Sequence, residues 1–289
     1  MDLTTSNASA ASTKEWTGSK SPQPPTPSPM LPSPWLTFLL PFFVYMILGS
    51  FEPGPPDPLT ETQKRAPEAT RLLLEEGPAN IIGLKYKHYP FVYTVKIALT
   101  IAAMLYVLPG YRAFPIRVSL LAVAVGVVGV VLWIWICSLH LEPKLLAPLG
   151  LEGFVGGLGE RPAYNPLEQL KATPTWAYTF LVIRFIGLAL VVPVIEEFFL
   201  RGFLMRFVQD DAAWWQVPFG KVTPLAAVVG TAVPMLMHPA ELLAAFVWFS
   251  LVTWLMVRTK NIWDCVAAHA VTNFLLGVYV VTQHQWQLW

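Results

Sequence analysis

The chain has 289 residues, 55% of them hydrophobic and only 13% charged, with a mean hydropathy of +0.52. A water-soluble fold of this length has no means of hiding that much apolar surface. Lys+Arg number 19 against 18 Asp+Glu, a formal net charge of +1, and no basic block is present to neutralise a phosphate backbone, so nucleic acid is excluded as a partner.

Residues 1–34 are rich in Ser, Thr, Ala and Pro, with seven prolines from Pro22 to Pro34. They are expected to form a disordered tail, too long and Pro-rich ahead of Trp35 to be a signal peptide. From 35 to 289 the sequence predicts a membrane-embedded helical domain, an all-α, polytopic, integral membrane helix bundle of about seven transmembrane helices. The first apolar stretch, 35–51, carries Pro41. The second runs over about 90–108, with Lys96 expected to snorkel toward the headgroups. The third, 118–139, is uncharged and rich in Val and Gly, and the fourth is a long helix over about 175–208. The fifth and sixth, 222–237 and 242–257, are short for a full crossing, and the seventh covers 262–282. The segments 51–90 and 140–174 read as extramembrane loops. The second of them contains the glycine-rich LGLEGFVGGLG at 149–159, and neither has the spacing of a phosphate-binding loop. Arg206, Lys221, Arg258 and Lys260, after the fourth and sixth stretches, put those loops in the cytoplasm by the positive-inside rule. The N-terminus is then inside and the C-terminus outside.

An ionisable side chain within a spanning helix costs at least ~2.5 kcal/mol on insertion scales, so each one needs a partner, a wet cavity or a task. The richest case is VVPVIEEFFLRGFLMR at 191–206. Glu197 and Arg201 are spaced i,i+4 and can pair. Glu196 lies about 100° away around the helix and faces elsewhere, so the two carboxylates are not expected to share a partner; Glu196 is free to hold a water. His238 ends the fifth stretch between Pro234 and Pro239, the mark of a helix broken at membrane depth. As a single His at a helix end it also fits a capping role. His269 and Asn273, in HAVTN, stack on one helix face. Arg184 and Asp264 read as boundary anchors, and Cys137 and Cys265, each alone in an apolar run, as packing residues with no disulfide or thiolate site between them.

Two carboxylates, an Arg, two His and an Asn in a solvent-poor recess can add water to a carbonyl. A Glu takes the proton from water, a His relays it, and His and Asn N–H groups stabilise the oxyanion. Other hydrolase designs are missing: there is no HExxH and no GxSxG serine, and Asp264 is the one aspartate of the helical C-terminal part expected to touch a membrane segment, which leaves no aspartyl pair. Two readings stay open beside this one. In the first, Glu196, His238 and His269, with Glu197 near them, hold a divalent metal such as zinc in place of cofactor-free catalysis. In the second, the polar set ties helices together in a non-catalytic protein.

EEFFLR at 196–201, a following His238 and HAVTN at 269–273 resemble the three motifs of the CPBP family, the CAAX protease and bacteriocin-processing group that includes the type II CAAX prenyl endopeptidases. The resemblance covers about 193–276, within an expected catalytic core at about 175–282. It implies an intramembrane endopeptidase acting on a membrane-anchored peptide or protein. Glu196 would activate the water, assisted by His238; Glu197 and Arg201 would form a structural pair; and His269 and Asn273 would donate to the oxyanion. The family's second motif is usually FxxxH, and Pro234 replaces its Phe here. Some relatives act as immunity or scaffold proteins, which is what the non-catalytic reading would mean. The layout of the whole chain is similar to CAAX-protease-related proteins of bacteria with exosortase-type sorting, and so implies a multi-pass protein of a bacterial inner membrane.

Overall fold

A computed structural model of the chain describes residues 33–56, 59–146, 148 and 164–289. The tail expected at 1–34 lies outside the described residues as far as 32, and so does the glycine-rich 149–159. Among the described residues all regular structure is helical. The apolar helices are α1 Pro34–Gly49, α2 Tyr89–Tyr106, α3 Leu120–Leu139, α4 Pro174–Phe207, α5 Pro224–Leu236, α6 Leu242–Thr259 and α7 Ile262–Gln283.

Local chemistry sets where they begin. Ser33, Ser119 and Thr223 accept the N–H of Leu36, Ala122 and Ala226, and Asn261 accepts that of Trp263, which satisfies donors that the first helical turn leaves unpaired. Pro34, Pro174 and Pro224 start their helices, where a missing N–H does no harm. α3, α6 and α7 stop at His140, Lys260 and His284, each left-handed, with φ of 48°, 53° and 56°.

Five segments are long and apolar enough to cross a membrane: Tyr86–Tyr106, α3, α4, Pro239–Thr259 and α7. The sixth stretch is longer than expected, because a 3-10 turn at Pro239–Glu241 leads into α6. α5 is shorter, at 13 residues. In lipid, water does not drive helices together, and close backbone approach has to hold them. Gly126 and Gly129 of α3 provide it: a Cβ on Gly126 would stand 2.7 Å from the Ala268 carbonyl of α7, and one on Gly129 2.2 Å from the Trp248 ring of α6. The Thr272 hydroxyl donates to the Gly126 carbonyl at 2.9 Å across that contact. On the outer side of α3, Val127, Val128, Val131 and Trp135 are exposed, as suits a helix that is apolar all round.

Three placements correct the sequence reading. Lys96 does not snorkel: its side chain is 5% exposed and pairs with Glu52 at 2.5 Å, over the rings of Tyr45 and Tyr93. The partner it finds is a carboxylate just beyond α1. Arg184 is buried rather than a boundary anchor, donating to the carbonyl oxygens of Tyr164 and Trp289 at 2.6 and 2.8 Å. Asp264 stands at a helix end but is buried, and accepts the Ser119 N–H at 2.7 Å, tying the start of α7 to the start of α3.

Candidate active site

α4 is not a uniform α-helix. Two π-helical segments, Gly187–Val191 and Phe198–Leu204, flank the α-helical Val192–Glu197 that carries both glutamates. The first has a local cause. Pro193 brings no N–H and would crowd the carbonyl four residues back, and a widened turn relieves that contact.

Glu197 and Arg201 are fully buried and pair at 3.2 Å, as their spacing predicts. Arg201 also donates to the Phe249 carbonyl at 3.3 Å, with its guanidinium 5.3 Å from that ring. From α7, the Nδ1–H of His269 meets Glu197 Oε1 at 2.9 Å. Its Nε2 lies 4.0 Å from Glu196 Oε2, and Glu196 keeps 13% side-chain exposure. The sequence reading denied the two glutamates a common partner. The structure gives them one, because an imidazole presents a nitrogen at each edge and the two carboxylates approach different edges. With Nδ1 donating to Glu197, the neutral ring turns the Nε2 lone pair toward Glu196. A separation of 4.0 Å is too long for a direct hydrogen bond and invites a bridging water.

His238 follows the end of α5, and its Nδ1 bonds the Pro234 carbonyl at 2.8 Å, so it does cap that helix. Its ring lies 5.7 Å from Trp133 and 5.4 Å from Phe249. Phe249 is also 6.4 Å from the His269 ring. One buried phenyl ring therefore packs near both imidazoles and the Arg201 guanidinium. Nothing in the sequence singles out Phe249, since a phenylalanine inside an apolar helix carries no signal of its own. Asn273 shares a helix face with His269 and donates from Nδ2 to the Leu188 carbonyl at 2.8 Å, in the first π segment.

The structure thus joins Glu197, Arg201 and His269 directly, sets Glu196 4.0 Å from His269, places His238 against Phe249, and ties Asn273 to the backbone of α4. Among the described residues no group of three or more His, Cys, Asp or Glu side chains is placed to hold a metal ion.

A cavity of about 400 Å³ adjoins this region, lined among others by Tyr45, Glu52, Lys96, Arg184 and Leu188. Leu188 also belongs to the contact with Asn273, so the cavity and the polar centre share a wall. No curated protein and no solved structure matches the chain. Residues 178–275, about a third of the chain, match the family described as Type II CAAX prenyl endopeptidase Rce1-like. All six candidate residues fall inside that segment, and the family is the one their motifs resemble.

Proposed function

We propose that the chain is an intramembrane endopeptidase that hydrolyses a peptide bond of a membrane-associated protein with a water activated by Glu196. The observation that carries this reading is the 4.0 Å gap between Glu196 Oε2 and His269 Nε2, with His269 held from behind by Glu197. A water in that gap has a carboxylate to take its proton and an imidazole in a fixed tautomer to share it. As the water oxygen bonds to the carbonyl carbon, the proton passes to Glu196 and negative charge gathers on the carbonyl oxygen. Collapse of that intermediate breaks the C–N bond, and the held proton goes to the leaving nitrogen. Glu197 stays ionised between Arg201 and His269 and takes no proton. Its part is to orient the imidazole, and His238, whose ring packs against Phe249, is the assisting group.

The test compares protein termini in membranes of cells carrying the parental chain, Glu196→Gln or His269→Ala. Glu196→Gln removes the base while keeping shape, and should lower the appearance of chain-dependent new termini by at least ~100-fold. The folded protein should remain in the membrane at parental abundance. New termini appearing at the parental rate in Glu196→Gln would end the proposal.

A further inference from the structure

Asn273 donates to the backbone of α4, and that backbone has an unusual need. In the first π segment Val192 N–H bonds the Gly187 carbonyl, five residues back. In the same register the next carbonyl, Leu188, would receive the N–H of residue 193, which is proline and has none. The donor one residue earlier, Val192, is already committed to Gly187. Leu188 is thereby left without a donor from its own helix, in an interior where an unpaired carbonyl is costly. Asn273 Nδ2 meets that oxygen at 2.8 Å.

We infer that Asn273 is a surrogate backbone donor, which replaces the N–H that Pro193 lacks and so fixes the register of the turn that presents Glu196. The same face of α7 then holds α4 at two places, His269 on Glu197 and Asn273 on Leu188. Glu196 lies three residues beyond Pro193, so a change from π to α register there rotates its carboxylate away from His269. Asn273 is on this account a positioning residue, acting through Leu188 and the backbone of α4. The backbone claim stands without any activity; its catalytic consequence rests on the proposed endopeptidase.

A rescue decides between the two roles. Asn273→Ala should lower the rate at which new termini appear by about tenfold or more, through misplacement of Glu196. Pro193→Ala restores a backbone N–H, and adding it to Asn273→Ala should return the rate to within about threefold of Pro193→Ala alone. A donor to the oxyanion has no such remedy, so a double variant that falls below Pro193→Ala alone by the same factor that Asn273→Ala costs the parental chain overturns the inference. Hydrogen exchange of the amides at 192–197, measured in a Glu196→Gln background with and without Asn273→Ala, reads the backbone without any catalysis. Faster exchange is expected when Asn273 is lost, and unchanged protection overturns the inference even if the proline variant fails to fold. If exchange quickens but no chain-dependent cleavage exists in any variant, the endopeptidase reading fails and the surrogate donor stands.

Discussion

Glu197 and Arg201 meet within α4 with neither side chain exposed, whereas Lys96, from within α2, meets Glu52 just beyond the end of α1, where Glu52 keeps 22% exposure and borders the cavity. Both pairs put opposite charges into an apolar protein. The difference lies in what surrounds them. The first is closed by a third group, His269, whose other nitrogen faces Glu196. The second is enclosed by the rings of Tyr45 and Tyr93 and opens on a cavity. A charge buried in a membrane protein therefore does not by itself mark chemistry; the informative feature is a second carboxylate brought within a water's reach of a held imidazole.

The sharpest way to break the comparison is to remove one cation from each pair. Arg201→Met strands a carboxylate with no route to solvent, and should cost about 3–5 kcal/mol of stability. In detergent this would be read as a large drop in the unfolding temperature or as failure to accumulate. Lys96→Met should cost less, about 1–2 kcal/mol, because Glu52 can turn to water in the cavity and its partial exposure screens the charge. Equal losses from the two substitutions would mean that the cavity end is as dry as the centre, and would remove the distinction drawn here.

What was legible in the sequence follows the same division between local and distant. The Glu197–Arg201 pair was readable because four residues make one helical turn, and the apolar stretches because hydropathy accumulates along the chain. The capping side of His238 was readable as well, since its partner, the Pro234 carbonyl, lies four residues away. Lys96 was misjudged because its partner, Glu52, sits beyond a different helix, 44 positions earlier in the chain. The shared contact of His269 with both glutamates was missed for a similar reason: a helical wheel assigns directions to side chains of α4, but it knows nothing of a two-edged ring arriving from α7. The π segments were illegible as such, although Pro193 next to a run of buried polar groups is the signal from which the first one follows.

The smallest effect belongs to a third acidic group, at the same end as Lys96 but on the surface. Glu76 accepts from Lys85 and from Lys87, the latter at 2.8 Å. Those hydrogen bonds hold its carboxyl at about 2, below the ordinary 4.5. A depressed carboxylate contributes above its unfolded value and loses the contribution as pH falls through the folded one. The loop joining α1 to α2 should accordingly be held by this contact at neutral pH and released between pH 4.5 and about 2. Comparing amide exchange in residues 76–88 with that of Glu76→Gln at each pH cancels the intrinsic pH dependence of exchange. The difference should be present near pH ~6 and gone near pH ~2, and added salt should shrink it at the upper end, as expected of charges in water. The Glu197–Arg201 pair, shielded from ions, should show no such response to salt. A difference at Glu76 that persists at the lowest pH would mean that Lys85 and Lys87 hold the loop through something other than its carboxylate.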